Sequence, residues 1–139
     1  MSNFVFPELQ QLANRLRERV PYSAPAAKPL LVYGYVRTPE REPSYADACG
    51  DLLRWWAEVK GWQLGVVFRD LGVGSSQRLR PGFTGLTDVL RLPEAALAVI
   101  VEKRHLSRKP EGVKQLTAAI RRTGSSLRVL ADELAEVPA

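Results

Sequence analysis

LLVYGYVRTP, residues 30–39, is the stretch whose reading decides the fold. Residues 30–36 are an unbroken run of mostly β-favouring side chains, stopped by Arg37, Thr38 and Pro39. A strand apolar on both faces belongs inside a parallel sheet with helices on either side, because a sheet with one wet face alternates apolar and polar residues. In open α/β sheets, chemistry gathers just beyond the carboxyl ends of such strands. Arg37, Thr38 and Pro39 fall at that place and are the first candidate site residues.

Downstream of this strand the pattern repeats. Ser44-x-x-Asp47 reads as a capping box with Asp in the usual Glu position, opening a helix over 45–60. Tyr45, Ala48, Cys49, Leu52, Trp55, Trp56 and Val59 form its apolar face, and Lys60-Gly61 closes it. At helical spacing the tryptophan pair reads as core, not as a base-stacking platform. A second strand is expected over 62–68, with Arg69-Asp70 at its end. Residues 71–80 read as a flexible loop carrying Arg78 and Arg80. The loop lacks both the P-loop and the full dinucleotide fingerprint, so nucleotide binding is not expected; its arginines suit a phosphodiester backbone better. A helix over 81–90 follows, then a strand over 95–101, then Arg104, His105 and Arg108 beyond its end. A helix over 111–122 should bury Val113, Leu116, Ala119 and Ile120. A strand over 127–130 and an acidic tail over 131–137 complete the chain. The order β-α-β-α-β-α-β predicts an α/β fold, a doubly wound, mostly parallel sheet of about four strands.

Upstream, residues 1–29 read as an appendage to a main domain spanning 30–139. Leu9, Leu12, Ala13, Leu16 and Val20 make one stripe of an amphipathic helix begun by Pro7, with Phe4 and Phe6 ahead of it. Residues 21–29 are a stiff Pro/Ala linker. The stripe needs the domain's own flank, a second copy or a partner, which makes Leu9, Leu12, Leu16 and Val20 interface candidates.

Composition narrows the function classes. With 139 residues the chain can bury a core without disulfides. Its single cysteine, Cys49, excludes an internal disulfide or a Cys-based zinc site, fits a reducing cytoplasm and reads as a small core residue. One histidine leaves only carboxylate-bound metals conceivable; no metal or cofactor is expected. No apolar run approaches the roughly 20 residues of a membrane span, and the N-terminus lacks a signal-peptide core. The net charge of +5 is regional: residues 69–109 hold eight Lys/Arg against four Asp/Glu, while residues 30–68 total −1. A polyanion, most simply nucleic acid, is the implied partner; a solvated face is the plain alternative.

Three clusters sit where one crevice would gather them: Arg37-Thr38-Pro39, the loop ending Arg80-Pro81-Gly82, and 104–108, RHLSR. With Gly34-Tyr35-Val36-Arg37, Gly61-Trp62, Phe68-x-Asp70-x-Gly72-Val73 and Leu106-Ser107-Arg108, residues 30–130 resemble the catalytic domain of the serine recombinases, the resolvase/invertase family. The resemblance implies a first-strand motif Tyr-x-Arg-x-Ser, whose serine attacks a DNA phosphodiester while arginines stabilise the transition state. Arg37 matches the motif arginine, but Pro39 stands in the serine position. Arg80 matches the arginine after the mobile loop. The Asp-Arg-Leu-x-Arg motif reads Arg104-His105-Leu106-Ser107-Arg108, keeping only the leucine and the last arginine. Thr38 is one residue early, so its side chain points to the opposite face.

The resemblance therefore implies a catalytically inactive recombinase-like domain. It would act by binding DNA phosphates through Arg37, Arg78, Arg80 and Arg108, or by binding itself or a recombinase-type partner, in an accessory or regulatory role. Family members continue into a long helix and a separate DNA-binding domain; without these, sequence-specific binding by this chain alone is not expected. The first alternative is a divergent recombinase or nuclease using Thr38, Ser44, Ser75 or Ser76 as nucleophile, or His105 as general base. The second is a structural oligomerisation domain.

Overall fold

The computed structural model describes residues 6–22 and 28–135. Phe4, the centre of the Pro/Ala linker and the end of the acidic tail lie outside the described residues. Strands β1 (Leu31–Thr38), β2 (Gln63–Leu71), β3 (Ala95–Ile100) and β4 (Ser126–Val129) form one sheet in the order β2-β1-β3-β4. Every pairing is parallel. Helices α1 (Pro7–Arg19), α2 (Pro43–Lys60), α3 (Pro81–Leu90), α4 (Pro110–Arg122) and α5 (Leu130–Ala135) accompany it. The doubly wound α/β sheet read from residues 30–39 is present, with β1 inside it.

Alternation along the strands separates two cores. Val32 and Val36 of β1, with Leu97 and Val99 of β3, pack with α1, α2 and α5. Tyr35 of β1, with Ala98 and Ile100 of β3, packs with α3 and α4. At β1 and β3 both sheet faces are therefore dry, which is why β1 could be apolar throughout. Gly34 lets Leu53 of α2 and Val67 of β2 pack tightly over β1: a Cβ there would come 3.1 Å from Leu53 and 3.0 Å from Val67. The strand order reverses between β1 and β3, so a crevice opens between their carboxyl ends, the usual place for a site in such sheets.

Pro7, Pro43, Pro81 and Pro110 each occupy the first helical position, where the missing N–H costs nothing and the fixed φ suits a helix. This corrects the expected capping box. Pro43 starts α2 ahead of Ser44, and the Glu42 carboxylate accepts from the Ser44 N–H at 3.2 Å. Asp47 instead pairs with Arg69 at 2.7 Å. Strand β2 runs past Phe68 to Leu71, because pairing with β1 continues through Val36–Arg69, Arg37–Asp70 and Thr38–Leu71. In α4 only Ile120 is fully buried; Val113, Leu116 and Ala119 are partly so.

Helix α1 packs on its own domain. Leu9, Leu12, Ala13 and Leu16 are buried in the core they share with α2 and α5. Arg19 donates to the Leu134 carbonyl at 2.8 Å, and the Arg17 guanidinium lies 5.0 Å over the Trp55 ring. The stripe expected to serve as an interface is thus spent internally, with Val20 packed at its margin. Each such leucine stabilises by about 1.5–3 kcal/mol, more than a surface contact would return.

Candidate functional site

The crevice at the switch between β1 and β3 encloses about 300 Å³. Arg37, Thr38 and Pro39 form one wall, Arg104, His105 and Arg108 another, and Tyr45 of α2 a third; Phe6 and Glu8 border its mouth. The sequence-derived strand-tip residues and the residues beyond β3 do meet here.

Among the described residues, the hydroxyls of Thr38, Ser75 and Ser76 near the tip of β1 are hydrogen-bonded within the domain. Pro39 is exposed and has none. Thr38 is buried, and its hydroxyl donates to the Glu40 carbonyl at 2.6 Å. The loop serines are engaged as acceptors: Ser75 Oγ takes the Arg108 N–H at 2.8 Å and Ser76 Oγ takes the Lys109 ammonium at 2.8 Å.

The four arginines read as phosphate ligands divide into two pairs. Arg37 is 2% exposed, and its two terminal nitrogens donate to the carbonyls of Val73 and Arg104. Arg80 is 5% exposed, and its three nitrogens donate to the carbonyls of Gln77, Leu106 and Ser75. Arg80 thereby stitches the 71–80 loop to the segment after β3, so it does not reach outward from a flexible loop. Arg78 and Arg108, in contrast, are exposed.

Among the described residues neither buried arginine has a carboxylate in ion-pair range. Carbonyl dipoles carry the compensation, and Arg37 Nε is left buried without a partner. Burial, and then the cation of Arg80, hold the Arg37 guanidinium below its ordinary pKa. Two buried guanidinium groups therefore lie behind the crevice, with the Asp70 carboxylate buried on the far side of Tyr35 and Glu8, Glu40 and Glu42 among the lining residues.

His105 is 1% exposed, so it is not a base at the crevice mouth. Its Nε2 shares a hydrogen bond of 2.9 Å with the Tyr45 hydroxyl, and its Nδ1 is buried without a partner. Burial, followed by the cations of Arg104 and Arg37, pulls its pKa down to about 3. A neutral imidazole with so little affinity for a proton is a poor general base near neutrality. Arg104 donates to the Tyr45 hydroxyl at 2.7 Å and to Glu102 at 2.8 Å, and its guanidinium lies 5.5 Å from the centre of the Tyr45 ring. Cys49, beneath Tyr45, is buried and its thiol is pushed up to about 12, mainly by that burial, as befits an inert core residue.

Asp70 organises the other side. Its carboxylate accepts from the Tyr35 hydroxyl at 2.7 Å and from the N–H groups of Gly82 at 2.7 Å and Phe83 at 2.9 Å. It therefore fixes the start of α3 immediately after Arg80. Gly82 is needed for this approach, since a Cβ would come 2.4 Å from the Arg69 carbonyl oxygen. From sequence, Tyr45 reads as a helix-face residue and Asp70 as part of the motif after the second strand, and neither is assigned a role in the site. Tyr45 is the first apolar-face residue of α2, so periodicity assigns it to the core. Asp70 carried a usable signal: a lone acid at a strand end shortly before a proline-initiated helix.

The domain is thus an all-parallel α/β sheet whose switch point is bordered by arginines from β1, the β2–α3 loop and the segment after β3. The chain matches the family described as Resolvase, N terminal domain, over residues 32–137, and belongs to that family. Solved structures give the same fold. The N-terminal catalytic domain of TP901-1 integrase superposes with a TM-score of 0.66 at 20% identity, covering 73% of this chain and 79% of that one. The C-terminal catalytic domain of ISC1926 TnpA, an IS607-like serine recombinase, gives 0.63 at 19% identity over 76% and 75%. A resolvase family site-specific recombinase from Streptococcus pneumoniae gives 0.60 at 15% identity over 74% and 73%. No curated protein matches the chain. Among the described residues no helix is long and apolar enough to cross a membrane.

Proposed function

We propose that this chain is a non-cleaving member of the resolvase family that works by binding a DNA phosphate backbone, in an accessory or regulatory role. One observation carries the reading: the nucleophile position is Pro39, and the adjacent Thr38 hydroxyl is buried and bonded to Glu40. Phosphoryl transfer through an enzyme-bound ester needs an activated hydroxyl within reach of a base or a charge-stabilising group. The neutral, buried His105 offers no such base.

The binding half of the reading rests on charge. Arg108 is exposed at the crevice, and Arg78 and Lys109 are exposed at the neighbouring hollow beside the 71–80 loop, while the buried Arg37 and Arg80 add positive charge to the two. Arg37 and Arg80 act here as scaffold whose field supports the exposed pair, not as direct ligands. Mixed with supercoiled DNA, the protein should retard it at low salt, with affinity falling steeply as salt rises because each neutralised phosphate releases counterions. A salt-independent affinity, or a covalent protein–DNA adduct, would overturn the proposal.

A protein partner, a second copy or a recombinase-type chain, is the second reading. The open edge of β2, where Val66 is 56% exposed, favours it. Solution mass decides it for self-association: a monomer at high concentration would leave only a different chain as partner.

A further inference from the structure

Away from the strand tips, α4 carries a second cationic surface. Arg108, Lys114, Arg121 and Arg122 are exposed, and among the described residues none of the four forms a salt bridge. Two shallow grooves connect them. One is lined by Lys103, Arg104, Arg108 and Lys114 among others, and the second by Lys114, Thr117, Ala118, Arg121 and Arg122. Lys114 lines both, so the two grooves form one track.

Acids reach the track from outside its lining, at the Arg108 end, where Lys103 pairs with Asp132 at 3.2 Å and Arg104 with Glu102 at 2.8 Å. Neither groove contains an Asp or Glu, whereas the crevice includes Glu8, a hollow on α2 includes Asp51 and Glu58, and one beside the 71–80 loop includes Glu111. Lys114, Thr117, Ala118 and Arg121 recur at i, i+3, i+4 and i+7, so they share one helix face. The small side chains of Thr117 and Ala118 form a floor between the cations. Compensation of the helix dipole accounts for Arg121 and Arg122 in the last turn. It does not account for Lys114 in mid-helix, nor for Arg108 just ahead of the N-terminus, where the dipole disfavours a cation.

At about 1.5 Å per residue the α4 part of the track is roughly 20 Å long. Lys114 and Arg122 stand roughly 12 Å apart along the axis at about 1.5 Å per residue, and at about 3.4 Å per step along a duplex axis that is the reach of a few neighbouring phosphates. We infer that the outer face of α4 is a second nucleic-acid contact, in which Lys114, Arg121 and Arg122 neutralise backbone phosphates of a duplex whose path continues from Arg108. The inference rests on the phosphate-binding reading of the crevice rim and extends it to a surface outside the strand-tip motifs.

The test compares the salt dependence of binding to a short duplex of random sequence for three proteins. These are the wild type, Lys114→Gln/Arg121→Gln/Arg122→Gln, and the rim variant Arg78→Gln/Arg108→Gln. All substituted residues are exposed, so circular dichroism should be unchanged, and the urea midpoint should fall only slightly in the α4 variant through the lost dipole compensation of Arg121 and Arg122. The α4 variant should bind roughly tenfold or more weakly, with its slope of log affinity against log salt shallower by about two to three, near 0.9 for each lost contact. An α4 variant equal to wild type, with the rim variant weakened, would overturn the α4 track alone. A wild type that fails to bind the duplex at low salt would overturn both readings. Wild-type binding to phosphatidylserine vesicles but not to the duplex would overturn the nucleic-acid assignment of this face.

Discussion

Acidification from pH 7 to pH 5 should destabilise this protein through His105 by about 2 kcal/mol. The imidazole is 1% exposed, flanked by Arg104 and Arg37, and its pKa falls from 6.5 to about 3 on folding. The unfolded chain therefore takes up a proton as pH drops through 6.5, while the folded chain stays neutral until near pH 3. Protonation stabilises the unfolded state alone, so the contribution is fully present above pH 6.5 and is lost progressively between 6.5 and 3. At pH 5 the unfolded histidine is almost wholly protonated, and about 1.5 pH units at about 1.36 kcal/mol each give the 2 kcal/mol. Urea unfolding of the wild type and of His105→Gln, each at pH 7 and pH 5, isolates the effect. Glutamine keeps an amide near the Tyr45 hydroxyl but does not titrate. The variant should lose about 2 kcal/mol less than the wild type over the same interval. Equal losses in the two proteins would refute a neutral, buried His105.

The remaining predictions concern the groups that shape the site. Asp70→Ala strands the Tyr35 hydroxyl and the Gly82 and Phe83 N–H groups; it should cost about 2–4 kcal/mol in urea unfolding, and a near-neutral change would show that Asp70 does not hold α3. Gly82→Ala forces a Cβ against the Arg69 carbonyl and should cost about 1–3 kcal/mol, read as a lowered urea midpoint; an unchanged midpoint would mean that α3 moves away freely. Leu16→Ala, at a fully buried position, should cost about 2–5 kcal/mol of the main unfolding transition. If that transition did not move, α1 would not be part of the domain core.

The sheet was legible because burial on both faces writes itself into composition: β1 and β3 are continuous apolar runs, and no other placement satisfies them. The end of β2 was not legible, because Arg69 and Asp70 belong to the strand through pairing with β1, which leaves no apolar trace. The start of α2 was misread because a proline at the first helical position competes with a plausible Ser/Asp cap one residue later. Meeting of the three arginine-bearing segments followed from topology. The state of Arg37 and Arg80 did not, since their partners are main-chain carbonyls at Ser75, Gln77, Val73, Arg104 and Leu106, and no sequence pattern encodes where a loop turns its carbonyls. His105 illustrates the same limit. Surrounded in sequence by arginines and serine, it reads as exposed, yet the short turn at Lys103–His105 rotates it under Tyr45.

Absence of a usable hydroxyl at the tip of β1 is the central claim, and mass spectrometry of the protein after incubation with supercoiled DNA tests it most directly. After nuclease digestion, the peptides carrying Thr38, Ser44, Ser75 and Ser76 should all have unmodified masses. A nucleotide-phosphate addition on any one of them would contradict the account and make this chain an active recombinase with a displaced nucleophile.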